Sequence, residues 1–148
     1  MTYTYTDHAK AAMEKRGLKA SDVESVISGA GDDRIYNAEE KRFIAKKKIG
    51  DLTVYADYSV DGDAITVNSA FAHAMVIKDI VLEGDDTAWK YCKNGNVVKA
   101  GHSNLEYVGA VRSAPSLVDP ATGESWFEEY MANGALATAE VLFKQKRA

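Results

Sequence analysis

The chain has 148 residues, 46% hydrophobic and 27% charged, a balance that fits one globular domain or two small ones and excludes a disordered chain. A net charge of −4 and an isoelectric point of about 5.4 argue against a broad surface for phosphate backbones. No apolar run reaches the roughly 20 residues of a membrane helix, the N-terminus lacks a secretory pattern, and the single Cys92 excludes an internal disulfide and points to the cytoplasm.

Met1 to Tyr5 alternates Thr and Tyr, the pattern of a short edge strand. Thr6 then caps a helix in which Ala9, Ala12 and Met13 make a narrow apolar stripe, and Gly17 stops it in a left-handed conformation. Ser21 and Glu24 have capping-box spacing and open a second helix, with Val23, Val26 and Ile27 on its inner face. Ala30 to Asp33 is a loop. From Arg34 onward the period falls to two.

Leu52, Val54, Ala56, Tyr58 and Val60 alternate with polar residues and make the clearest strand. Ile65, Val67, Ser69 and Phe71 make another, joined to it by the tight connection Asp61-Gly62-Asp63, and Gly50-Asp51 leads back to a strand over Arg42 to Ile49. Two helices followed by antiparallel strands give an α+β fold over residues 1–77.

Beyond residue 77, Ile80 to Leu82 reads as a strand. Asn94-Gly95 between Trp89-Tyr91 and Val97-Val98 predicts a hairpin with a type I′ turn. Leu105 to Val111 is placed to pair with it. Ser113 to Gly123 holds both prolines and reads as an extended loop. Ser125 and Glu128 make a second capping box for a helix carrying Trp126, Phe127, Tyr130 and Met131; Asn133-Gly134 interrupts it, and Ala135 to Lys146 resumes it with a basic end. Residues 78–148 are thus a hairpin-plus-helix extension, either continuous with the first domain or separate from it.

The order His8-Ala9, Met13-Glu14-Lys15-Arg16-Gly17-Leu18, Ser21-x-Val23-Glu24 resembles the opening of a bacterial domain family of unknown function. That family is similar in layout to the RelE and BrnT ribonuclease toxins. The resemblance covers residues 3–77 and implies two short helices packed on an antiparallel β-meander, with toxin-type, metal-independent RNA cleavage among distant relatives.

Cleavage through a 2′-hydroxyl needs a base, an acid and a cation near the developing charge, and His8, Glu14 and Arg16 are the candidates. His8 and Arg16 lie about 12 Å apart along one helix, so they share a site only across a cleft. The plainer reading packs His8 at a helix start and leaves Glu14 and Arg16 in solvent. On a strand, Arg42, Lys46 and Lys48 share a face suited to RNA phosphates, although lysines also guard edge strands against aggregation. Tyr55 and Tyr58 have rings that can stack a base in a pocket or simply pack the core.

His73, His102 and Cys92 match no zinc spacing, and no phosphate loop or nucleophile elbow occurs, so neither a metal nor a cofactor is expected. Three functional readings remain. The first is an endoribonuclease acting on RNA. The second is a non-catalytic binder of a nucleotide or another small anion. The third is an interaction module that uses its C-terminal region to dock a protein partner or a second copy. No membrane partner is expected.

Overall fold

The computed structural model describes residues 2–107 and 110–134. The chain divides into two compact units, Met1–Ala72 with Ala88–Gly95, and His73–Thr87 with Asn96–Ala148. The expected boundary after residue 77 falls inside a strand that supplies residues to both.

In the first unit, β1 (Thr2–Tyr5) leads into α1 (Asp7–Arg16) and α2 (Ala20–Gly29), followed by β2 (Arg34–Asn37), β3 (Arg42–Ile49), β4 (Leu52–Asp61) and β5 (Ala64–His73). The C-terminal end of β6 (Val76–Tyr91) completes it. The strand order is β1-β5-β4-β3-β2-β6. β2, β3 and β4 pair antiparallel, and β2 pairs antiparallel with β6 at Trp89 to Tyr91. β1 instead lies parallel to β5, Tyr3 opposite Ile65 and Tyr5 opposite Val67.

The RelE-like α+β expectation, two helices packed on an antiparallel meander, is therefore corrected. The chain is built mainly from strands, nine among the described residues, in a mixed arrangement. The physical reason is that a period of two identifies a strand but not its neighbour. Chain order suggested successive hairpins, whereas β5 returns beside β1 and β2 takes β6 as its second partner.

Local signals explain the helices. The Thr6 side chain accepts from the Ala9 amide at 3.0 Å, and Gly17 closes α1 with φ +67°. The cap of α2 falls two residues earlier than expected, at Lys19 rather than Ser21. The Lys19 amide donates to Asp22 Oδ2 at 3.0 Å, and Glu24 instead accepts from the Tyr5 hydroxyl at 2.5 Å. Ala9, Met13, Val23, Val26 and Ile27 from the helices share one core with Ala45, Val54, Ala56, Tyr58, Ile65 and Val67 from the strands. Phe43 and Ile49 pack against the same core, so one face of β3 and β4 is covered by helices.

In the second unit the order is β6, β7 (Val97–Tyr107), β8 (Ala110–Val118) and β9 (Ser125–Trp126). β7 and β8 pair antiparallel, Ser103 opposite Ala114, and β8 pairs antiparallel with β9. Three expectations change here. Residues 92–96 connect β6 to β7, and only Gly95 of the Asn-Gly pair has positive φ, so the type I′ turn does not form. Pro115, expected in a loop, lies in β8 opposite His102. Among the described residues β9 pairs only with Leu117 and Val118 of β8, so Pro115 lies where β8 has a ladder partner on the β7 side alone.

Ser125, expected as a helix cap, instead sits in β9. Its hydroxyl lies 3.2 Å from that of Ser103, which is 2.8 Å from that of Ser116, and all three serines are buried. Helical backbone follows at 129–134. The expected helix over Ala135 to Lys146 lies outside the described residues. No helix among the described residues is long and apolar enough to cross a membrane.

Candidate functional site

The register of β3 against β4 decides where the candidate residues stand. Ile44 opposes Asp57 and Lys46 opposes Tyr55, whereas Phe43 opposes Tyr58 and Ala45 opposes Ala56. Opposed residues share a face. Arg42, Lys46, Lys48, Tyr55 and Asp57 therefore lie on the face away from α1 and α2, while Tyr58 lies on the helix-covered face.

His8, Glu14 and Arg16 all belong to α1, His8 and Glu14 exposed and Arg16 half-buried. Since α1 contributes Ala9 and Met13 to the helix-side core, its residues and the basic strand face are on opposite sides of the sheet. The structure thus separates the expected catalytic set from Arg42, Lys46, Lys48 and Tyr55.

Arg42 anchors a polar knot that the sequence did not reveal. The Asn37 side chain accepts from the Glu40 amide at 3.0 Å and shapes the turn between β2 and β3, where Lys41 takes φ +54°. That turn brings Glu40 to Arg42, whose Nε donates to Oε2 at 2.7 Å. Arg42 NH1 also donates to Asp57 Oδ2, and the guanidinium lies 4.9 Å from the centroid of the Trp89 ring. Asn68 completes the knot, donating to Ser59 Oγ at 3.1 Å and to Asp57 Oδ1 at 3.5 Å. Asn37, Asp57 and Trp89 are buried.

Chemically the knot is a clasp. The Arg42 guanidinium is engaged by two carboxylates, Glu40 and Asp57, which occupies donors that a phosphate would need. The Tyr55 ring is buried and stacked on Phe71 at 5.1 Å, which leaves it no open face for a base. Lys46 is half-buried and Lys48 exposed on the same side.

Tyr58, also buried, stacks on Phe43 at 5.5 Å, and its hydroxyl accepts from Arg34 at 2.9 Å. Burial pushes the Tyr58 phenol above its ordinary value, against the opposing pull of Arg34. Arg34 also lies 3.9 Å over the Phe43 ring. Cys92, half-buried nearby, donates its amide to the Arg34 carbonyl at 2.9 Å, and burial raises its thiol pKa.

The remaining candidates do not gather. In the second unit His73 is buried, meets Phe127 edge-on at 5.6 Å and accepts from the Met75 amide at 3.2 Å, while His102 is half-buried on β7. Among the described residues no group of three or more His, Cys, Asp or Glu side chains is placed to hold a metal ion.

A different feature stands out on the second unit. Val76, Ile77, Val81 and Leu82 are 59%, 38%, 53% and 47% exposed along the N-terminal part of β6. The signal available in the sequence was the run Val76-Ile77-Lys78-Asp79-Ile80-Val81-Leu82, which is too apolar for a solvated strand and too irregular for a strand with one buried face. No protein-family model, curated protein or solved structure matches this chain.

Proposed function

We propose that this chain is a non-catalytic interaction module that docks a protein partner through the β6 surface of its second unit. The exposure of Val76, Ile77, Val81 and Leu82 on one strand carries this reading. Apolar residues scattered singly over a surface are ordinary. Two adjacent pairs on one strand are not, because burying them against a partner releases their hydration, worth roughly 25 cal/mol per Å².

The separation of the polar candidates supports the same choice. Endoribonuclease chemistry needs His8, Glu14 and Arg16 to converge with the cations that hold RNA, but the two sets flank opposite faces. A nucleotide site needs open ring faces, and Tyr55 and Tyr58 are both buried in stacked pairs.

The test places a photo-cross-linking residue at Val81 of the full chain in growing cells, with a control at the exposed Lys10 on α1. A discrete covalent adduct at position 81 and none at position 10 is the expected result. Irradiation that yields no adduct at 81 overturns the reading.

A further inference from the structure

We propose that Val76 to Leu82 of β6 captures an extended segment of another protein, basic and apolar in alternation, as an added strand. This rests on the interaction-module reading and specifies the partner's chemistry.

β6 has β7 on one side and β2 on the other, and β2 pairs only with Trp89 to Tyr91. Among the described residues, then, nothing pairs with the β2-side edge of Val76 to Leu82. A strand edge presents a row of backbone donors and acceptors that an extended chain can complete.

Apolar side chains are exposed on both faces of this stretch. Successive side chains on a strand point to opposite faces. Val76 and Ile77 are neighbours, as are Val81 and Leu82, and all four are exposed. An added strand therefore finds an apolar neighbour on each of its own faces. Gly84, with φ +88°, ends the regular stretch, so the seat spans about 23 Å at roughly 3.3 Å per residue.

Charge decides between partners. From Val76 to Thr87 the strand carries one lysine against four acidic residues. Lys78 is bridged to Glu106 at 2.9 Å, and Asp86 is bridged to Lys99. Asp79 accepts from the Asn104 amide, a neutral donor that adds no opposite charge, and Asp85 is exposed. A second copy of β6 brings the same acidic excess and is repelled. A segment with basic residues beside the apolar ones is attracted.

The experiment titrates the full chain into labelled nine-residue synthetic peptides and follows fluorescence anisotropy at low and high salt. A peptide alternating Val and Lys is expected to bind, more weakly at high salt. One alternating Val and Glu is expected not to bind. Neither is one of the Val/Lys composition with all Val at one end and all Lys at the other. The double substitution V81K/L82K changes exposed side chains and should weaken binding at least about tenfold while leaving the circular dichroism melt in place. D79K/D85K should remove the salt dependence.

Equal binding of the block peptide overturns the proposal, because composition then suffices and the alternation of an added strand is not read. Equal binding of the Val/Glu peptide overturns it as well. Concentration-dependent dimerisation abolished by V81K/L82K makes the occupant a second copy and also overturns it. A cross-link at position 81 without Val/Lys binding removes the partner chemistry alone and leaves the module reading standing.

Discussion

Arg42 holds Glu40 and the buried Asp57 while lying over Trp89. Removing one member of such a pair leaves the other charge desolvated and uncompensated, whereas removing both does not. R42A and D57A should each cost about 3 kcal/mol in urea denaturation. The double replacement R42M/D57L should cost far less than their sum, and simple additivity would show that the pair is not coupled. Tyr5 gives a pH test. Burial first, then the hydrogen bond to Glu24 and its charge, raise the Tyr5 phenol above its ordinary value. As pH rises the unfolded chain loses this proton first, near pH 10, so the native state binds more protons and stability falls. Stability should be level with respect to this group below about pH 10 and decline above it, and Y5F should flatten that decline in urea melts across the alkaline range. Residues acting within one turn, such as Thr6 and Gly17, were legible because their partners lie three or four positions away. The Arg42–Asp57 pair was not, because it exists only once β3 and β4 adopt their register.

Between elements, Gly101 on β7 marks a place where β6 backbone leaves no room for a side chain. A Cβ there would stand 2.5 Å from the Val81 carbonyl oxygen of β6 and 3.3 Å from Val118 on β8. Backbone cannot yield as a flexible side chain does, so G101A should force β6 and β7 apart at a cost of about 1–3 kcal/mol, read as a fall in Tm. An unchanged melt would mean that the strands are looser than described. The existence of β4 and β5 was legible from the alternation of apolar and polar residues in their sequences, and β3 from the Gly50-Asp51 connection that leads back to it. Element ends and turns were less so. Asn94-Gly95 has the composition of a tight hairpin but sits inside a five-residue connection. Ser125 and Glu128 have helix-cap spacing, yet Ser125 bonds instead to the buried serines of β7 and β8. In each case tertiary contacts overrode a local preference.

At the scale of the molecule, the mixed arrangement was hidden because pairing partners are set by which apolar faces meet, not by chain order. β1 and β5 are separated by two helices and three strands and still pair in parallel. The same consideration governs the site. The resemblance at residues 3–77 drew attention to α1 and β3, but α1 belongs to the helix-side core and the basic residues of β3 to the other face. The exposed run on β6 becomes meaningful only when its burial is known, since an identical stretch in a fully covered strand would be ordinary core.

The two units interleave along the chain. The first takes back Ala88–Gly95 after the second has already begun at His73. No single crossover in the gene between those points yields one intact unit upstream and the other downstream. A single exchange at any of those points therefore divides at least one of the two units.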